Sequence, residues 1–256
     1  MIITTPQKPS PELWAYAGQL SEELGGRLVD RKQHSLTMLK KRYADDRLLV
    51  VDPSGLRYYE HSDEPLYFHP SMAYVRVKRL RKGERDPLMD ISGCQQGDTV
   101  LDCTAGLGSD AIVFAYAVGK EGHVTAIESE PILCAVVRDG LKTYKTMHED
   151  VNEAFRRIEM QCVNHRNYLQ SLPDKSVDIV YFDPMFRKPV HESSALEPLR
   201  SVANADALDE ETIRHAVRVA RKSVVLKEHA ASGEFERLGF ACKHVNKIAY
   251  GVIKPT

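Results

Sequence analysis

Residues 98–128 read DTVLDCTAGLGSDAIVFAYAVGKEGHVTAIE, which holds one strand–turn–helix–strand unit. DTVLDCT (98–104) is an apolar run of strand length. The glycines at 106 and 108 break it, and DAIVFAYAVG (110–119) follows as a helix that Gly119 stops. HVTAIE (123–128) is the next strand. Outward from this unit the alternation continues. PILCAVVRDGLKTY has helical spacing, IEMQCVN (158–164) is a third strand and SVDIVYFDPMF (176–186) a fourth. The fourth is apolar almost to its carboxyl end, as a strand covered on both faces is. The helix ETIRHAVRVA, the strand SVVLKE (223–228) and a terminal antiparallel pair, FACKHVN with KIAYGVIKP, complete the series. This spacing predicts a Rossmann-like α/β domain, with a mostly parallel seven-stranded sheet and helices on both faces.

The N-terminal third has a different texture. PSPELWAYAGQLSEEL sets Leu13, Ala17, Leu20 and Leu24 at helical spacing behind Ser10 and Pro11, an N-cap followed by proline at the first helical position. RKQHSLTMLKKRY, around residues 31–43, predicts a second short helix. LLVVDPSGLRYYE reads as a hairpin turning at Pro53-Ser54-Gly55. Together they predict a small α+β accessory subdomain over residues 1–68, in front of the main domain over 69–256.

Composition narrows the class. An apolar share of 43% and a charged share of 28% are ordinary for a soluble globular protein. No apolar run approaches the ~20 residues of a membrane-spanning helix. MIITTPQKPSPELW lacks the basic-then-apolar pattern of a secretion signal. Cys94, Cys103, Cys134, Cys162 and Cys242 form no CxxC pair, and no histidines sit at metal-ligand spacing. A cytoplasmic protein without a metal is the expectation. The net charge of -1 conceals one basic stretch, VRVKRLRKGERD, with Arg76, Lys78, Arg79, Arg81, Lys82 and Arg85 against Glu84 and Asp86. It reads as a strand or helix edge, either simply solvated or holding an RNA backbone.

In such sheets ligands bind at the carboxyl ends of the strands. The first strand ends at Asp102, before the turn Gly106-Leu107-Gly108, where glycine lets backbone approach a ligand closely. Gly106-x-Gly108-x-x-Ala111 also fits a dinucleotide fingerprint. Asp102 favours S-adenosyl-L-methionine instead, because a carboxylate pairs with its α-ammonium and repels a pyrophosphate. Glu128 ends the second strand where a ribose-gripping acid belongs, and either nucleoside would want it. The fourth strand ends Asp183-Pro184-Met185-Phe186, which resembles the (Asp/Asn/Ser)-Pro-Pro-(Tyr/Phe) signature of methyltransferases acting on exocyclic base amines. An amine on an aromatic base is a poor nucleophile, its lone pair being delocalised into the ring. The Asp183 carboxylate and the Pro184 carbonyl can accept its two N–H groups and turn the lone pair toward a sulfonium methyl. Phe186 can stack on the base, worth ~1–3 kcal/mol, once the nucleotide is flipped or unpaired. Two alternatives stay open. An NAD(P)-dependent oxidoreductase would use the glycine turn and Glu128, although no Tyr-x-x-x-Lys arrangement is visible. An RNA-binding protein with a non-catalytic methyltransferase fold would have less use for the intact acids.

LDCTAGLGSDA, Glu128, VYFDPMF, SSAL (193–196) and FHPSMAYVRVKR (68–79) together resemble the ribosomal RNA small-subunit methyltransferase J family, over roughly residues 68–200. That resemblance implies a class I S-adenosylmethionine-dependent fold acting on a guanine exocyclic amine of 16S rRNA. The implied partner is small-subunit rRNA or the ribosomal subunit. By position, the family's cofactor contacts fall on Ser109 and Asp110, on Glu128 with Ser129, on Asn167 with Tyr168, and on Asp183. The chain departs from the family at Ser109, where the family has arginine, and at Arg187, where it has proline. The first 60 residues show no visible match.

Overall fold

In this computed structural model, residues 1–61, 63–184, 207–244 and 247–255 are described. The N-terminal part is built on a five-stranded sheet of order β2-β1-β3-β4-β5. Strand β1 (Ile2–Thr4), wholly buried, runs parallel to both β2 (Arg27–Leu28) and β3 (Leu48–Asp52). From β3 the chain turns back as the hairpin expected, with Asp52 opposite Gly55, into β4 (Gly55–Tyr59), and β5 (Leu66–Tyr67) closes the edge. Strands as short as β1 and β2 carry no periodicity, so the sequence reading passed over them. Helix α1 (Pro11–Glu23) starts where Ser10 accepts the Leu13 N–H at 3.2 Å. Helix α2 (Leu36–Tyr43) begins later than residue 31, because Ser35 is its cap and Lys32 sits at φ +47, outside the helical region.

Helices α3 (Ser71–Arg81) and α4 (Pro87–Ser92) lead to the second sheet. The basic stretch therefore starts as a helix, which ends before Gly83 at φ +78. The second sheet has the order β11-β12-β10-β9-β6-β7-β8. Its members are β6 (Thr99–Asp102), β7 (His123–Glu128), β8 (Ile158–Cys162), β9 (Val177–Phe182), β10 (Ala220–His229), β11 (Ala241–His244) and β12 (Ile248–Ile253). The first five pair in parallel, and β12 joins β10 and β11 antiparallel. This is the Rossmann-like sheet expected, with the terminal hairpin at one edge. Helices α5 (Ser109–Ala117), α6 (Pro131–Thr143) and α7 (Glu149–Arg156) connect β6, β7 and β8, α8 (His165–Ser171) leads from β8 to β9, and helix Glu210–Val219 precedes β10. From β6 the chain steps outward through β7 and β8, then returns to place β9 on the other flank of β6. That reversal opens a crevice at the carboxyl ends of β6 and β9.

One contiguous core joins the two sheets, with Ile3, Leu49 and Val51 in the same cluster as Val113, Val136 and Val137. The joint is tight at Phe68, whose burial contributes about 1.5–3 kcal/mol. A Cβ on Gly140 of α6 would lie 2.1 Å from the Phe68 Cγ, so only glycine fits there. Phe68 also meets Tyr144 and Phe155 edge-on, at 5.8 and 6.4 Å between ring centroids. Among the described residues no helix is long and apolar enough to cross a membrane.

Candidate active site

At the end of β6 the chain turns through Gly106 and Gly108, at φ +52 and +76, into α5. A Cβ on Gly106 would meet nothing within 4 Å, so open space lies beside the turn. The turn is tied to the next strand. Ala105 N–H donates to the Ile127 carbonyl at 2.9 Å, and Gly106 N–H to Glu128 Oε2 at 3.1 Å. Glu128 Oε1 accepts from Glu130 N–H at 3.0 Å. The carboxylate has about four lone-pair sites, more than its backbone donors take, and so can still receive a hydroxyl. Burial raises the Glu128 carboxyl, and the three backbone N–H groups of Glu130, Gly106 and Ser129 pull it back. Asp102, 1% exposed, accepts the Thr104 N–H on Oδ1 at 3.1 Å. Burial, then the charge of Asp110, holds its carboxyl well above the usual carboxylate range. A buried acid of this kind fits a cationic ligand, whose charge would ionise it.

The other half of the crevice is built on β9. Asp183 follows directly on this strand, and its N–H donates to Thr104 Oγ1 at 2.5 Å, pinning the Asp-Pro turn to the loop after β6. Its Oδ2 accepts from Lys227 Nζ at 2.7 Å. Lys227 lies on β10, one residue past Leu226, which is in register with Phe182, and so it flanks Asp183. The same ammonium donates to Asp110 Oδ2 at 3.0 Å, and Tyr181 OH donates to that oxygen at 2.8 Å. Arg76 donates to Asp110 Oδ1 and, through Nε and Nη2, to both oxygens of Asp86 at 2.8 Å each. Charges thus alternate along Asp86, Arg76, Asp110, Lys227 and Asp183. Burial opposes ionisation of Asp110, yet Lys227 and Arg76 hold its carboxyl below the usual range. Burial pushes the Asp183 carboxyl up to about 6, with Lys227 pulling it down and Asp110 pushing it up. Burial would lower the Lys227 ammonium, but Asp183 and Asp110 keep it raised. Four acids, Asp102, Asp110, Glu128 and Asp183, meet two cations, Arg76 and Lys227. That surplus of negative charge suits a ligand carrying a sulfonium and an ammonium.

The structure thus brings Asp102, Gly106, Gly108, Asp110, Glu128 and Asp183 to one crevice, with Ser109 opening α5 and Ser129 following β7. Pro184 leaves β9 beside them, whereas Phe186, Met185 and residues 193–196 lie outside the described residues. Asn167 is exposed on α8, and Tyr168 packs partly buried against the second core cluster. Among the described residues neither side chain hydrogen-bonds to the acids. Arg76 corrects the reading of the basic stretch. Its side chain is only 19% exposed, because two buried carboxylates, Asp86 at the start of α4 and Asp110 on α5, need a cation between them. Arg81 is partly engaged too, donating to Asp150 at 2.8 Å. Lys78, Arg79 and Lys82 remain exposed, with the Lys78 ammonium 4.9 Å from the Tyr74 ring centroid. The sequence reading missed Thr104, Tyr181 and Lys227. Lys227 had a signal, a charged residue ending the apolar run SVVL, had that strand end been read as the others were.

Residues 32–238 match the family model described as "Putative SAM-dependent methyltransferase". An uncharacterized protein of Bacillus subtilis, YpiP, is 42% identical over 255 residues, 99% of each chain. The ribosomal RNA small subunit methyltransferase J of Thioalkalivibrio sulfidiphilus is 33% identical over 153 residues, 57% of this chain and 58% of that protein. Its namesake from Hahella chejuensis is 26% identical over 231 residues, 85% and 82% of the two chains. The crystal structure of a SAM-dependent methyltransferase from Neisseria gonorrhoeae superposes with a TM-score of 0.66 at 19% identity, covering 100% of this chain and 96% of that one. It shares the class I Rossmann-like fold. A glycine turn bracketed by acids, on this fold and under this family match, identifies the chain as a member of the SAM-dependent methyltransferase family, with S-adenosylmethionine as its cofactor.

Proposed function

We propose that the methyl acceptor is a guanine exocyclic amine in RNA, and that the RNA is small-subunit ribosomal RNA. The observation that carries this reading is the placement of Asp183-Pro184 beside the glycine turn, pinned by Thr104 and bound by Lys227. The likeness of the DPMF stretch to amine-methyltransferase signatures and the names of the rRNA methyltransferase relatives support it. S-adenosylmethionine, when bound, supplies an electrophilic methyl group on sulfonium. Asp102 and Glu128 hold it by charge and by the ribose hydroxyls, with Ser109, Asp110 and Ser129 around the turn. Asp183 and the Pro184 carbonyl accept the amine hydrogens and aim its lone pair, and Phe186 stacks on the base. Such a reaction depends on positioning more than on strong acid–base catalysis. Lys78, Arg79 and Lys82, with Arg81 at the side, give the RNA backbone its phosphate contacts, whose strength falls with salt.

The test is transfer of labelled methyl from S-adenosylmethionine into 16S rRNA from cells lacking this gene, followed by nucleoside mass spectrometry. N2-methylguanosine is expected, and Asp183→Ala should slow its formation by about 100-fold or more. Near wild-type transfer by Asp183→Ala, or label on a ribose oxygen or a ring carbon, would sink the amine reading.

A further inference from the structure

We infer that Lys227 is a positioning residue of the acceptor site: its ammonium, shared between Asp183 and Asp110, holds Asp183 as an oriented carboxylate that can receive the acceptor amine. The inference rests on the amine-methylation reading above. A lysine ammonium is expensive to take out of water, and Lys227, its side chain 22% exposed, stays charged where two carboxylates answer it. Here it follows the apolar run Val224–Leu226 within β10 and reaches sideways to the residue that follows the neighbouring strand. Asp110 already has Arg76 and Tyr181 as donors. The additional contact that Lys227 makes is the one to Asp183. By bonding Oδ2 it anchors that carboxylate through one oxygen, and the other would receive the amine.

The protonation state of Asp183 decides whether this arrangement works. As a carboxylate it accepts an N–H; as an acid it presents an O–H to the amine, the wrong polarity. In the transfer a bond forms between nitrogen and the methyl carbon, and the carbon–sulfur bond breaks with its electron pair going to sulfur. The nitrogen becomes cationic and gives up a proton, which an ionised Asp183 takes and passes to solvent. The groups facing Asp183 are Lys227 on β10, Asp110 on α5 and Asp102 on β6; Tyr181 on β9, Tyr250 on β12 and Arg76 on α3 lie around them. Lys227 is the cation among these that bonds to Asp183 directly. Without it, burial and the two neighbouring acids act on Asp183 unopposed.

The experiment pairs two readouts on the full chain, with Lys227→Met as the probe and Lys227→Arg as the conservative control. Carbon-13 NMR of aspartate-labelled protein, with Asp183→Asn for assignment, follows the Asp183 titration directly. Removing an adjacent cation should move it upward by about one to three pH units, and arginine should restore it. The acid limb of the pH–rate profile for methyl transfer to undermethylated 16S rRNA should move by the same interval, in kcat rather than in the KM for RNA. An unmoved titration overturns the inference, and so does a moved titration with an unmoved pH–rate profile. Should Lys227→Met not fold, Lys227→Gln carries the same two readouts. If the wild-type chain methylates no RNA, the acceptor reading fails separately, and the titration still decides whether Lys227 governs Asp183.

Discussion

Asp102 and Glu128, at the ends of β6 and β7, accept hydrogen bonds from backbone N–H groups, whereas Asp183 and Asp110 share side-chain cations. The two halves of the crevice use the same residue types for different purposes. A backbone N–H orients a carboxyl without supplying a counter-charge, so ionisation of Asp102 and Glu128 is left to be favoured by a ligand that brings a cation. An ammonium or guanidinium cancels the charge and fixes the geometry, so Asp110 and Asp183 are organised before anything binds. Under the proposed function the first half receives the charged cofactor and the second frames the neutral acceptor.

The sharpest way to break the contrast is to empty the frame. Arg76 bridges Asp86 and Asp110, both buried, and Arg76→Ala would leave two carboxylates facing each other. Breaking a buried pair from one side costs about 3–5 kcal/mol, so urea denaturation should show a loss of that size. The pH dependence has a definite sign. The folded-state carboxyl of Asp110 is depressed, so its contribution is present above the unfolded-state pKa and is lost as pH falls through the folded one. The gap between wild type and Arg76→Ala should therefore narrow as the pH is lowered. A loss below about 1 kcal/mol at neutral pH, a value typical of exposed pairs, would mean that Arg76 is not structural.

The receptor half should respond in binding more than in stability. Glu128→Ala removes an acid that burial already keeps reluctant to ionise, so the stability lost should come from the backbone N–H groups it receives and be smaller than that of Arg76→Ala. Its charge-assisted bonds to ribose hydroxyls should go, weakening S-adenosylmethionine by about 1.5–3 kcal/mol, roughly ten- to a hundredfold in Kd. Calorimetry giving an unchanged Kd would remove Glu128 from the ribose. Lys227→Met serves as the cross-check, since it is expected to shift the Asp183 titration while the Glu128 contacts to the ribose stay in place.

The receptor half was the more legible of the two from sequence. Asp102, Gly106, Gly108 and Glu128 lie within one strand–turn–helix–strand unit, where local spacing places them. The frame is assembled from α3, α5, β9 and β10, so its partners are distant in sequence: Arg76 and Asp110 are 34 residues apart, and Lys227 and Asp110 are 117 apart. No local pattern reports such pairs. For the same reason Arg76 was grouped with its basic neighbours, although one face of α3 turns inward while Lys78, Arg79 and Lys82 face out. The parallel sheet was legible because each strand is a self-contained apolar run. Strands β1 and β2 were not, since their pairing with β3 comes from tertiary contact alone.

The smallest effect distinguishes the halves most cleanly, because it follows a proton. Asp102 is buried without a cation bonded to it among the described residues, and its carboxyl is held well above the usual range by burial and by Asp110. Asp183 differs by having Lys227 in contact. When S-adenosylmethionine arrives, its positive charge favours the ionised form of a neighbouring acid. Burial and Asp110 raise the Asp102 carboxyl, so below that raised pKa binding should release its proton and affinity should rise with pH through that range. One proton per ligand caps the slope at about tenfold per pH unit, roughly 1.4 kcal/mol. Calorimetry in two buffers of different ionisation enthalpy would measure the proton released. Asp102→Asn, neutral at every pH, should flatten the slope, and Lys227→Arg should leave it as it is. If binding by the wild-type chain released no proton across the range where Asp102 titrates, its carboxyl would not face the ligand's cation. Glu128 alone would then carry the electrostatic part of cofactor recognition.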